Sequence, residues 1–308
     1  MDFDPTRPFL RAEALAHGLT DKVLRGPGYR QLFRGVLVAS STPATPLQRV
    51  CGALLLQHEL AWASHASAGR VKEAPIPTIA DEHVSVAHQK MRRHHRGLRC
   101  HVGDPTGVVV ERGVRVSGDV EMFIELGGQL GLVDLVVVGD WLVRRRGASP
   151  AQLVRACELS RHKDARKALA AASYVRRDVD SPMETRLRML LVLAGLPEPR
   201  VNLTIRDEEG GVVRRYDLCY PDCRVAVEYN GKVHVEVLAT WEDDLERRAD
   251  IDEDEWRLVV VVSSGIYRDP LRTLRRIHRV LLARHHPGVG PRLLDDWRPH
   301  FPGHADAA

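Results

Sequence analysis

The chain has 308 residues, 44% of them hydrophobic and 28% charged, with a formal net charge of +4. That length admits two or three domains, each with a core of its own, and the apolar and charged shares are those of an ordinary globular chain. No window approaches the roughly eighteen uninterrupted apolar residues of a membrane span, so no membrane association is expected.

The start, "MDFDPTRPFL", has no basic segment followed by an apolar one, and no secretory signal is read there. Five scattered cysteines (Cys51, Cys100, Cys157, Cys219, Cys223) fit a reducing cytoplasm better than a disulfide framework. Arginine is concentrated in short runs, "MRRHHRGLR", "VRRR" at Arg144, "VRRD" at Arg176 and "LRTLRRIHR". Such clusters on a nearly balanced chain permit contact with nucleic acid.

Residues 7–38 read as a compact helical unit closed by a β element. In "RAEALAHGLTDKVLRGPGYRQLFRGVLVA" a short helix around Ala12–His17 stops at Gly18, and Thr20 caps a second helix from Asp21. Gly26-Pro27-Gly28 breaks the chain, and a ribbon follows with Arg34-Gly35 at its turn. Helix, turn, helix and ribbon suggest a winged helix-turn-helix unit over 1–45, with Lys22, Arg25 and Arg34 as candidate nucleic-acid contacts. A small helical cap on the next domain fits the same spacing.

Residues 46–179 read as a mixed α/β middle domain with a helical linker. "LQRVCGALLLQHELAWASHASAGR" supports one or two buried helices, and strands are expected at "HVSVAH", "GLRCHVG", "GVVVERGVRVS" and "LVDLVVVGDWLV". "SPAQLVRACELSRHKDARKALAAASYV" is a helix pair with Ser149 as cap and Pro150 in the first helical position.

From 180 to 290 the order is α-β-β-β-α-β-α, with 291–308 as a tail. Ser181 caps the helix of "SPMETRLRMLLVLAGL", Glu184 sits in its first turn, and Gly195 ends it. Strands follow in "RVNLTI", "VVRRYDLCY" and "CRVAVEYNG". Next come a charged helix in "WEDDLERRADIDEDEW", a buried strand in "RLVVVVSS" and an amphipathic helix in "DPLRTLRRIHRVLLARH".

The chemistry is expected at the carboxylates inside these strands. Side chains alternate along a strand, so Glu228, Asn230 and, if the strand continues past Gly231, Lys232 share a face. Asp217 on the partner strand aims at the same point. Two carboxylates converging from adjacent strands, with the Tyr229 carbonyl as a third oxygen, suit one hard cation, Mg²⁺ or Mn²⁺. Such an ion activates a water and polarises a phosphodiester, while a lysine or amide alongside orients the water.

These features resemble the PD-(D/E)XK nuclease superfamily, and more closely its very-short-patch-repair endonuclease branch. The resemblance is carried by "SPMETRLR", "YDLCYPDCRVAVEYNGKVH", "WEDDLERRADIDEDEWRLVVVV" and the closing "DP…LRRI" helix, over about residues 180–285. It implies a restriction-endonuclease-like core in which Glu184, Asp217 and Glu228 form an acidic cluster. His234 fits the histidine that follows the glutamate string, and Arg247 or Arg248 the basic positions of the next helix. Asn230 departs from the family, which places Asp, Lys or Gln there; it adds no charge and weakens cation binding. The front segment, "FLRAEALAHGLTDKVLRGPGYRQLFRGVLVA", is similar to the winged-helix module of AbiEi-type antitoxins, which implies a DNA- or partner-binding front half and raises a toxin partner.

The expected fold is therefore α/β (α+β, multi-domain), and the expected function a metal-dependent DNA endonuclease. The alternatives are a DNA-binding regulator that keeps the nuclease fold without activity, favoured by Asn230, and a protein-interaction scaffold. Plainer readings stand beside the site residues: solvent-facing strand carboxylates for Asp217 and Glu228, and dipole pairing for Glu184. His234 also reads as a surface histidine, and Arg247 and Arg248 as a self-paired helix face. Zinc at Cys219, Cys223 and His234 is set aside for want of a second ligand pair, and "RRHHRGLRCH" is read as a basic loop or strand.

Overall fold

The computed structural model describes residues 3–206, 210–231, 256–301 and 303. They form an α+β multi-domain chain whose strands make one three-stranded, one five-stranded and one four-stranded sheet. Two compact units interleave in sequence: Met1–Leu130 with Ala151–Ala172, and Gly131–Pro150 with Ser173–Ala308. The sequence-based division at 45 and 179 follows chain order, whereas these units exchange segments.

The first unit opens with β1 (Phe9–Leu10), α1 (Arg11–Ala16), α2 (Asp21–Leu24), β2 (Tyr29–Phe33) and β3 (Val36–Ala39), the strands ordered β1-β3-β2. The expected cap is present: Thr20 Oγ1 accepts the Val23 N–H. Gly35 turns the ribbon at φ +83°, a left-handed conformation that glycine adopts without steric cost. Phe9, Ala14, Leu24 and Leu37 bury the inner face.

After α3 (Pro46–Leu55) come β4 (Trp62–Ala63), α4 (His65–Lys72), β5 (Glu82–Val86) and β6 (Leu98–Val102). The hairpin β7 (Val108–Glu111) and β8 (Val114–Ser117) leads to α5 (Asp119–Leu126). The five-stranded sheet runs β6-β5-β4-β8-β7, with β5 and β6 parallel so that Ser85 stands opposite His101 and His83 opposite Arg99.

"LVDLVVVGDWLV" corrects the sequence reading: it is not a strand but most of a helix, α6 (Leu132–Arg146), in the second unit. Its valines are buried on several sides, which hides any helical stripe and imitates the apolar run of a buried strand. The length and the end signals are helical. Asp134 lies in the first turn, Arg144–Arg146 in the last, and Gly147 closes it at φ +73°. The helix pair α7 (Pro150–Leu159) and α8 (Ala165–Ala172) is as expected.

The second unit continues with α9 (Pro182–Leu193), β9 (Arg200–Arg206), β10 (Val212–Tyr220), β11 (Val225–Tyr229) and β12 (Arg257–Val261). It ends with α10 (Ser263–Tyr267) and α11 (Pro270–Ala283). The sheet order is β12-β11-β10-β9, antiparallel except for the parallel pair β11–β12. The sequence reading lacks the short α10, and its charged helix at 241–256 lies almost entirely outside the described residues. α6 packs on α9, locked by Arg188, which is fully buried with Nη2 3.1 Å from Asp140 Oδ2 and Nη1 3.0 Å from Glu198 Oε1. Among the described residues no helix is long and apolar enough to cross a membrane.

Candidate functional site

β10 and β11 pair Leu218 with Val227 and Cys219 with Ala226, and one step further this register sets Asp217 opposite Glu228. Opposed residues of an antiparallel pair share a face, so both carboxylates project to the same side of the sheet. β11 is an interior strand, flanked by β10 and by β12, where Glu228 is in register with Val260. Glu228 is only 8% exposed, so it is not the edge-strand carboxylate facing water that the plainer reading supposes. Asp217 is half-buried, and its Oδ2 accepts the Tyr229 N–H at 3.0 Å.

Glu184 is buried in the first turn of α9, which packs on β10 and β11. Its own N–H donates to Ser181 Oγ at 3.2 Å, and its Oε2 accepts from the Asp180 N–H and from Asn202 Nδ2, both at 3.0 Å. This is a near-capping box with an added tie to β9. β11 ends at Tyr229, and the half-buried Asn230 donates its N–H to the Val261 carbonyl at 2.9 Å. The structure thus sets Asp217, Glu228 and Tyr229 side by side, while Glu184 is held by Asp180 and Asn202. Lys232, His234, Arg247 and Arg248 lie outside the described residues. In the first unit Lys22, Arg25 and Arg34 are exposed, Arg34 at the tip of the ribbon.

Beside β12 lies a cavity of about 580 Å³ lined by Arg268, Arg272 and Arg276 together with Ser264 and Thr273. Arg276 Nη2 donates to the carbonyl of Val260, the register partner of Glu228. Burial and then the charges of Arg257 and Arg272 push its pKa down. The three arginines are exposed, and Asp269 lines the same cavity, its Oδ1 accepting the Arg272 N–H at 3.0 Å. The cavity thus carries three guanidinium groups and one carboxylate.

A second constellation, in the first unit, escaped the sequence reading. His65 begins α4, His83 lies on β5 and His101 on β6, and one ring nitrogen of each lies within 4.8 Å of the other two. His83 Nδ1 and His101 Nε2 are 2.9 Å apart, and the His65 ring stacks on that of His101 at 3.9 Å between centroids. Gln129 Oε1 accepts the Ala66 N–H at 2.9 Å, which turns its amide nitrogen to the His83 ring, 2.8 Å from Nε2 and 3.1 Å from Nδ1. Glu125 accepts the His65 N–H at 2.8 Å and the Ser117 hydroxyl at 3.1 Å, and its burial pushes its carboxyl up to about 7. Desolvation, then the neighbouring cations and rings, lowers His65 to about 2 and His83 and His101 to about 4, so all three rings are neutral at physiological pH. The available signal was alternation: His83 and Ser85 share one face of β5, and His101, opposite Ser85, shares it too. The flanking arginines drew the sequence reading to a basic loop instead.

No known family model matches the chain. It is 33% identical over 102 residues to two Mycobacterium tuberculosis proteins, uncharacterized protein Rv2248 of strain H37Rv and uncharacterized protein MT2308 of strain CDC 1551. The match covers 33% of this chain and 37% of each relative, so it spans little more than a third of their length.

Proposed function

We propose that the chain is a metal-dependent DNA endonuclease acting in the cytoplasm, with Asp217 and Glu228 as carboxylate ligands of Mg²⁺ or Mn²⁺ and the Tyr229 carbonyl as a third oxygen. The supporting observation is Glu228 itself, a buried carboxylate on an interior strand directly across from a second carboxylate. Burying such a charge costs several kcal/mol unless it is compensated. Two carboxylates and a carbonyl are hard oxygen donors, which suit these cations rather than softer ones.

When bound, the cation supplies an activated water and polarises the scissile phosphate. Asp217 and Glu228 hold the ligand positions, and the Asn230 amide orients the attacking water. Arg268, Arg272 and Arg276 carry the flanking phosphates, while Lys22, Arg25 and Arg34 hold duplex DNA at the front unit. A restriction-endonuclease-like core for the second unit and a winged helix for the first belong to this reading, as does a toxin or other protein partner for the front half.

A second reading, an inactive DNA-binding regulator, is favoured by Asn230, which brings no charge, and by the Tyr229 N–H already held by Asp217 Oδ2.

The test is nicking of supercoiled plasmid by the full chain with Mg²⁺ or Mn²⁺, beside filter retention of the same DNA. The expected result is nicking that chelator and Glu228→Ala both abolish, with retention unchanged. Nicking that survives Glu228→Ala would overturn the assigned site, and retention without nicking by the parent selects the regulator.

A further inference from the structure

We propose that His65, His83 and His101 bind one divalent transition-metal ion of the zinc class, with the fourth coordination position left to water. The site lies in the first unit and is independent of the carboxylate pair on β10 and β11.

Convergence carries the argument. Three imidazoles arrive from three separate elements, a helix start and two parallel strands, onto one point. Tetrahedral Zn²⁺ takes histidine nitrogens at about 2.0–2.1 Å, which sets neighbouring ligand nitrogens about 3.3 Å apart. The His83 Nδ1 to His101 Nε2 separation of 2.9 Å is slightly tighter than that, and the largest separation in the triangle is within 4.8 Å. Small ring rotations open the first pair, unstack His65 from His101 and draw the third nitrogen in.

The backbone of His65 is the second observation. It stands at φ +52°, a left-handed conformation uncommon outside glycine, and it does so at the first residue of α4. That conformation is held by polar groups: its N–H goes to Glu125 Oε2, and its Nδ1 lies 3.0 Å from Ser64 Oγ. Ser64 Oγ is itself bonded to the Ser85 hydroxyl at 2.7 Å, so Nδ1 is the engaged nitrogen of His65 and Nε2 the one left for a metal. Strained backbone that surrounding groups hold in place is characteristic of functional sites.

The surroundings match what a metal-bound histidine requires. Such ligands are oriented by carboxylate, hydroxyl or carbonyl partners on their other nitrogen, and Ser64, with Glu125 behind it, stands in that place for His65. Glu125 Oε2, 3.8 Å from His65 Nδ1, offers a carboxylate to balance a bound cation against nearby Lys163. Nitrogen donors alone select Zn²⁺ or Co²⁺ over Mg²⁺. His101 is only half-buried, which leaves the ion a route to solvent. Metal entry replaces the proton shared by His83 and His101. It requires the His83 ring proton on Nε2, where the Gln129 amide must turn aside.

The test is titration of the untagged full chain, stripped with chelator, with Co²⁺, read by the visible band of tetrahedral cobalt. The expected result is a saturating band at one ion per chain that Zn²⁺ abolishes, that excess Mg²⁺ leaves, and that Glu228→Ala retains. His83→Ala and His101→Ala are each expected to weaken binding more than tenfold, with folding checked by circular dichroism. His101, half-exposed, is the variant that tests the site if the buried His83→Ala fails to fold. A parent chain that gives no band, or a folded His101→Ala chain that gives an unchanged one, would overturn the site and leave the three rings as a hydrogen-bonded stack.

Discussion

Gln129 sets its amide nitrogen, a donor, against both ring nitrogens of His83. With its oxygen committed to the Ala66 N–H, its amide nitrogen lies 2.8 Å from His83 Nε2 and 3.1 Å from Nδ1, the atom that faces His101. A metal ion on Nδ1 needs the ring proton on Nε2 and an acceptor beside it. Gln129→Glu keeps the Ala66 bond and supplies that acceptor, so it is expected to tighten Co²⁺ binding about tenfold, the scale on which such outer partners act. Cobalt titration of the variant measures this, and affinity that stays level or falls would mean that the ion does not bind through Nδ1. Asp217 and Glu228 show the converse case. They stood out in the sequence because a carboxylate inside an apolar strand is costly, whereas a histidine in a strand carries no such warning.

Helix ends were read well because their signals are local. Ser181 and Thr20 cap α9 and α2 as their sequences imply, since a hydroxyl one turn before an apolar run has an exposed N–H to accept from. Gly195 ends α9 at φ +77°, and a Cβ there would meet Leu294 Cγ at 2.6 Å. Gly195→Ala therefore combines a left-handed strain with an overpacked contact and is expected to cost about 2 kcal/mol. Denaturant unfolding measures it, and a loss under about 0.5 kcal/mol would show that Leu294 yields freely. α6 is the opposite case. Its interior is buried on several sides by neighbours distant in sequence, and nothing in its apolar run separates helix from strand except length and the charges at its ends.

At the scale of the molecule, the second unit is discontinuous. α6 reaches it from before the α7–α8 pair, and Asp140 supplies the carboxylate that buried Arg188 requires. Desolvation pushes the Asp140 carboxyl up, and Arg188 beside it pulls it back down. Losing one partner of such a pair costs about 3–5 kcal/mol. A chain begun at residue 173 is thus expected to be poorly folded, while one begun at residue 131 melts cooperatively. Thermal circular dichroism of the two fragments decides it, and equal melting temperatures would show that α6 is dispensable.

What the sequence determined by itself is what depends on neighbours along the chain: caps, turns, the β9–β10–β11 meander and the opposition of Asp217 to Glu228. These follow from spacing, because a two-residue alternation and a short turn leave little choice of register. The tertiary structure alone decided that residues 131–150 join the second unit, that Glu184 is tied to Asn202, and that His65, His83 and His101 meet. Each of those depends on residues tens of positions apart being packed together, and no local pattern records which distant segment will cover a given face.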